Sequence, residues 1–169
     1  FTKKMTQMTN HLSVKDGLNP RFAKVANYVL ERRKNITLKH FDIKEFDRFA
    51  NDFMIVYNEA WKGHENFTPI KKEYVLETFR KIKPIHEPKF IWFAYVNDVP
   101  ASFVLCLPDV NQIFKHFNGK LNLWNKLRFL WLKKKKVINR IRVIVMGTAP
   151  DYQNMGLESV VTLKCFERA

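Results

Sequence analysis

Acidic side chains are missing from the entire stretch between Asp109 and Asp151, in a chain of 169 residues that carries 16 of them. The same interval holds ten basic residues: Lys115, Lys120, Lys126, Arg128, Lys133, Lys134, Lys135, Lys136, Arg140 and Arg142. Ten charges of the net +14 therefore fall in about a quarter of the sequence. A field of one sign attracts phosphates, whether on a cofactor, a nucleic acid or a lipid surface. A solvated basic face has the same composition, so both readings stand. Cysteine is nearly absent. Cys106 and Cys165 make no disulfide framework, and their apolar neighbours suggest reduced core thiols in a reducing, cytoplasmic setting. Metal-ligand spacing is lacking too. His11, His40, His64, His86 and His116 form no His-x-x-x-His pair and lie beside no cysteine, so no metal is expected. No segment approaches the ~18 consecutive apolar residues of a membrane span. The opening residues show no signal-peptide pattern. Repeats and low-complexity segments are also missing. Glycine occurs only 5 times, so each one needs a local reason.

What is present suits one domain with a short extension. Apolar residues make up 46% of the chain, and 15 are phenylalanine. Residues 1 to 18 are polar and irregular, with a turn at Asp16-Gly17. Asn19 as N-cap and Pro20 at the first helical position then open an amphipathic helix to about Arg33, suited to linking this domain to something upstream. Ile36 to Phe41 alternates like a strand. Asp42 and Glu45 have the spacing of a capping box ahead of a helix with the stripe Phe46, Phe49, Phe53, Val56, Tyr57 and Ala60. Thr68 and Pro69 predict the start of a second helix, which Pro84 stops. Two bulky apolar runs, about 89–96 and 99–107, flank Asn97-Asp98 and predict a tight hairpin covered on both faces.

An insertion at about 108–136 interrupts the strands. Asp109 is placed to cap a short helix, and Asn118-Gly119 to turn. Leu121, Leu123, Trp124, Leu127, Phe129, Leu130, Trp131 and Leu132 then form an apolar run that ends in four lysines. A helix packed in the core with a solvated lysine tail fits this run, and so does a helix lying on an anionic membrane surface. Residues 140–149 read as a fourth strand, and a helix with the stripe Leu157, Val160, Val161 and Cys165 follows from near Gln153. The order is helix, then β-α-α-β-β, a helical insertion, β and α. This is a mixed α/β fold of about four strands, divided as 1–35, linker and helix, and 36–169, the domain proper. The chain starts at Phe1 without a methionine and stops at Ala169 inside what reads as a helix, so a longer protein is expected.

The strand-to-helix step "GTAPDYQNMGLES", residues 147–159, is the most distinctive stretch. Free N–H groups and the positive end of the dipole suit a helix start to a phosphate. Gly156, expected within the first turn, suggests close approach, either of a neighbouring strand or of a ligand. The Thr148-Ala149-Pro150 step and Gln153-Asn154-Met155-Gly156-Leu157 at the helix head resemble motif A of the GNAT acyltransferases, and the preceding β-α-α-β-β order is theirs. The segments 55–61, 67–70 and 107–112 further resemble a bacterial subgroup of two-part GNAT-like proteins, matching their C-terminal domain over about 36–169. The resemblance implies acetyl-CoA as cosubstrate, with Gln153, Asn154, Met155, Gly156, Leu157 and Glu158 along its pyrophosphate. It also implies Met146, Gly147 and Thr148 beside the pantetheine arm. Glu158 stands where the general motif has a small residue, and Gln153 where arginine is commoner.

The reaction so implied is N-acyl transfer to an unidentified small-molecule or peptide amine. It needs a base, a donor to the carbonyl and an acid for the thiolate. Residues 140–149 contain no Asp or Glu, and the family's tyrosine would lie beyond Ala169. Tyr57, Glu59, Asp109 and His116 are candidates elsewhere, though each reads more readily as structural or simply exposed. Cys106 has no basic partner in view as a nucleophile. A second reading keeps the fold without the chemistry and uses the basic 115–142 region to bind nucleic acid or an anionic membrane. A third has Phe67, Trp92 and Trp131 packing on an upstream domain of the same chain.

Overall fold

The computed structural model describes residues 13–169. Its elements are α1 (Pro20–Arg32), β1 (Ile36–His40), α2 (Phe46–Trp61), α3 (Lys72–Ile82), β2 (Ile91–Val96), β3 (Val99–Pro108), α4 (Asn111–Phe114), α5 (Leu123–Lys134), β4 (Ile141–Thr148) and α6 (Leu157–Phe166). The irregular character expected of residues 1–12 lies outside the described residues. The strands form one sheet in the order β1-β2-β3-β4, antiparallel throughout. The expected mixed α/β architecture and its β-α-α-β-β order are borne out.

The hairpin between β2 and β3 turns on Asn97 and Asp98, at φ 49° and 63°. Two successive left-handed residues give the turn whose twist matches that of the strands. Alternation along the strands then sorts the side chains. Ile91, Phe93, Tyr95, Phe103 and Leu105 face α2 and α3, where Phe49, Phe53, Val56 and Phe79 complete a phenylalanine-rich core. Trp92, Ala94, Val96, Val104 and Cys106 face the other way, onto Leu157, Val161 and Cys165 of α6. Helices on both faces explain why β2 and β3 are apolar nearly end to end. Trp92, which the sequence leaves among exposed-looking aromatics, is buried on the α6 face, while Trp131 is exposed.

The helix read as a linker is docked. Asn19 caps α1 by accepting from the Arg21 N–H at 2.9 Å, with Pro20 leading the helix as expected. Ala26 and Val29 of α1 then pack on Val160 of α6.

Several helix starts differ from expectation. The Asp42 carboxylate accepts from the Lys44 N–H and opens one tight turn, and Glu45 pairs with Arg48 instead of reaching back, so α2 begins at Phe46. Thr68 and Pro69 do not start α3, which begins at Lys72. The Asn58 side chain explains this: it accepts from the Ile70 N–H at 2.9 Å and donates to the Ile70 carbonyl at 3.0 Å, holding that backbone against α2. Asp109 caps nothing with its side chain; its backbone carbonyl accepts from Gln112. In the insertion, Phe129 of α5 is buried with Ile113 and Phe117, and Leu132 packs against them.

Candidate functional site

Strand β4 ends at Thr148 on one edge of the sheet, with β3 as its only neighbour among the described residues. The Ala149 N–H donates to the Ala101 carbonyl at 2.9 Å. Backbone groups alternate sides along an antiparallel strand, so those of Met146 and Thr148 point out from the sheet edge. The Thr148 side chain is buried and hydrogen-bonded to Ser102 at 2.8 Å, and Ser102 Oγ also donates to the Gly147 carbonyl at 3.0 Å. Gly147 lies against α2: a Cβ there would run into the Trp61 ring. Met146 is partly exposed and takes a contact from the Thr162 hydroxyl at 3.6 Å.

Beyond Thr148 the chain makes a single tight turn over Pro150–Tyr152. Asn154 and Gly156 then adopt φ of 62° and 79° and turn it into α6. The helix starts at Leu157, not near Gln153, and Gly156 is its N-cap, not a member of its first turn. The left-handed backbone is one reason for a glycine here. The other is α1, because a Cβ on Gly156 would meet Val25 at 2.8 Å and Val29 at 3.0 Å. The space a side chain would need is thus taken by α1, not by a neighbouring strand. Leu157 is fully buried, Met155 and Glu158 are half-buried, and Gln153 and Asn154 are exposed.

The turn offers backbone donors. Among the described residues, no acceptor takes the N–H groups of residues 154–159, while Val160 resumes the helical pattern by donating to Gly156. These donors sit at the positive end of α6. No basic side chain lies between residues 143 and 163, and Asp151 and Glu158 add negative charge. An anion placed here would meet these backbone dipoles, with Glu158 opposing it.

The catalytic candidates divide: Tyr57 and Glu59 lie on α2 beside Trp61, which meets Gly147, and Lys62, whose charge reaches Asp151, whereas Asp109 and His116 lie elsewhere. Tyr57 is stacked on Trp61 at 4.7 Å, within the aromatic layer of α2. Glu59 is exposed and paired with Lys62. Asp109 is half-buried at the far end of β3, with Oδ1 buried and unpartnered. His116 is exposed on the insertion. Cys106 and Cys165 are buried against each other, where the Cys106 contact and then burial push the Cys165 thiol up. A buried thiol with no base beside it is no nucleophile. Among the described residues, no three His, Cys, Asp or Glu side chains gather as a metal site needs, and no helix is long and apolar enough to cross a membrane.

One polar cluster went unnoticed in the sequence. Buried Asp52 accepts from the Tyr95 hydroxyl at 2.7 Å, and Arg48 lies 3.5 Å from the same carboxylate. Burial, then the bond to Asp52, pushes the Tyr95 hydroxyl well up, so it stays protonated and donates. The signal was available: Asp52 stands three residues after Phe49 and four before Val56, on the apolar stripe of α2. The Arg48 guanidinium covers the Phe49 ring at 4.6 Å, which places the cluster at the outer margin of the core.

No family model matches the chain. It is similar to the bacterial ceramide synthase of Caulobacter vibrioides, 25% identical over 118 residues, which is 70% of this chain and 31% of that protein. It is also similar to protein YghO of Escherichia coli, 25% identical over 138 residues, covering 80% of this chain and 35% of that one. The chain therefore spans about a third of the length of these curated relatives. Among solved structures it is similar to a mutant agmatine N-acetyltransferase in its apo form, with 12% identity and a TM-score of 0.44 over 80% of this chain and 70% of that one.

Proposed function

We propose that this chain is the cofactor-binding part of a GNAT-like acyltransferase that uses acetyl-CoA or a longer acyl-CoA to acylate an amine. The observation that carries the reading is the junction of β4 and α6. An edge strand with outward backbone groups at Met146 and Thr148 runs into a helix whose N–H groups, from residue 154 to 159, lack acceptors. A pyrophosphate fits the second feature and an amide-bearing arm fits the first. The similarity to a protein named for ceramide synthesis supports amide formation as the reaction class, since a ceramide is an N-acylated amine.

In this reading the amine attacks the thioester carbonyl directly. The C–N bond forms, the C–S bond breaks, and the amine proton passes to a base. The chain's own residues bind and orient. Met146 and Thr148 offer a backbone ladder to the arm, and residues 154–159 offer donors to the phosphates. Gly147 and Gly156 keep Trp61 and α1 close enough to fix both. Strand β4 contains no carboxylate, so the base comes from elsewhere in the protein.

Titration calorimetry of the full-length protein with acetyl-CoA and with a long-chain acyl-CoA tests the reading. Saturable heat with either is expected, together with protection of the amides of residues 146–159 from hydrogen exchange. No heat with any CoA species would overturn it. Gly156 is a poor site for the test, because a side chain there displaces α1 whether or not a ligand binds.

A further inference from the structure

Helix α5 is apolar on two opposite sides, and among the described residues only one of them is covered. Phe129 is buried with Ile113 and Phe117, Leu132 packs beside it, and the Lys133 ammonium donates to the Pro84 carbonyl at 2.7 Å. These contacts fix the helix to the body. On the other side Leu123 is 71% exposed, Trp124 78%, Leu127 52%, Leu130 55% and Trp131 58%. At about 100° per residue, these five side chains fall within an arc of roughly 120°. Lys126 borders that arc on one side and Arg128 on the other, both exposed, while Lys134, Lys135 and Lys136 gather at the helix's C-terminal end. The Lys135 ammonium lies 5.7 Å from the Trp131 ring centre. No acidic residue occurs between 109 and 151, and the carboxylate that reaches this helix, Glu87, sits on its inner side 3.7 Å from Lys133.

From this we infer that α5 is a membrane-docking helix that lays its Leu-Trp arc into the interface of an anionic bilayer. The charge pattern selects that occupant. A leucine and tryptophan stripe bordered on both sides by cations lets the apolar groups enter the boundary between headgroups and acyl chains while the cations reach the phosphates. Indoles at positions 124 and 131 suit the same depth. A nucleic acid would meet the basic residues but not the central leucines, which have neither π-faces nor donors. The helix is already formed and held by Phe129 and Leu132, so docking does not have to order it. This inference is independent of acyl transfer.

The test uses the full-length protein with an environment-sensitive fluorophore on Leu127→Cys, floated with vesicles of phosphatidylcholine alone or with about a third phosphatidylglycerol. Binding to the anionic vesicles is expected, with a blue shift of the label and quenching by lipids brominated in the upper acyl chain. The double variant Trp124→Ser/Trp131→Ser should lose at least tenfold in partitioning. So should Lys134→Glu/Lys136→Glu, with an unchanged thermal unfolding midpoint because all four side chains are exposed. Three results would each overturn the inference. One is vesicle binding that leaves the label unshifted. Another is a label already shifted without lipid, which means the rest of the protein covers α5. The third is a label that responds to duplex or single-stranded nucleic acid and not to vesicles.

Discussion

Gly156 and Glu158 stand two residues apart at the head of α6 and answer to different forces. Gly156 is set by packing and by a left-handed backbone. Gly156→Ala should destabilise by about 2–4 kcal/mol, from the positive φ plus the displacement of Val25 and Val29. Gly63→Ala, which meets open space, is the control. Thermal unfolding compares the two, and equal midpoints would contradict the α1 contact. Glu158 is set by electrostatics. As a carboxylate in the first turn it favours the helix by about 0.3–1 kcal/mol. The same charge opposes an anionic ligand at those N–H groups. Glu158→Gln should therefore lower stability slightly and tighten CoA binding about two- to fivefold. Opposite signs from one substitution are hard to obtain unless the ligand's phosphates lie at this helix end.

At the level of elements, α2 carries the polar cluster at the margin of the phenylalanine core. Tyr95→Phe removes the buried hydroxyl that donates to Asp52 and leaves that carboxylate with Arg48 alone. A loss of about 1–3 kcal/mol is expected, read as a lower urea midpoint at unchanged slope. An activity loss without a stability loss would instead assign the cluster to the chemistry. Helix α1 is the other element whose part changes in three dimensions. Its apolar spacing is plain in the sequence, but spacing names a face and not the surface that covers it. Val29→Ala should cost about 1–3 kcal/mol and should loosen α6 in hydrogen exchange, because Val29 packs on Val160.

Across the whole molecule, charge and layers are arranged separately. The sheet with its two helical faces holds the core, while the acid-free stretch maps to the insertion and to β4. Much of the layered fold was legible. Bulky apolar runs on either side of Asn97-Asp98 gave β2 and β3, and the Asn19-Pro20 pair gave the start of α1. Helix starts that depend on one distant partner were not legible. Asn58 holds Ile70 and delays α3, a contact between residues 12 apart that no local cap rule contains.

The candidate site divides the same way. Local sequence was enough to mark 147–159 as a strand-turn-helix with a glycine that needed a reason, because turn residues and β-branched runs act over a few neighbours. Tertiary structure decided what that reason is. The Cβ direction of Gly156 is set by φ and then by whatever lies along it, and that is α1, more than 120 residues earlier in the chain. It also decided that the apolar run of α5 is split between a covered side and an open one. Periodicity records which residues share a face, but burial depends on how many faces find a partner, and that is a property of the folded chain.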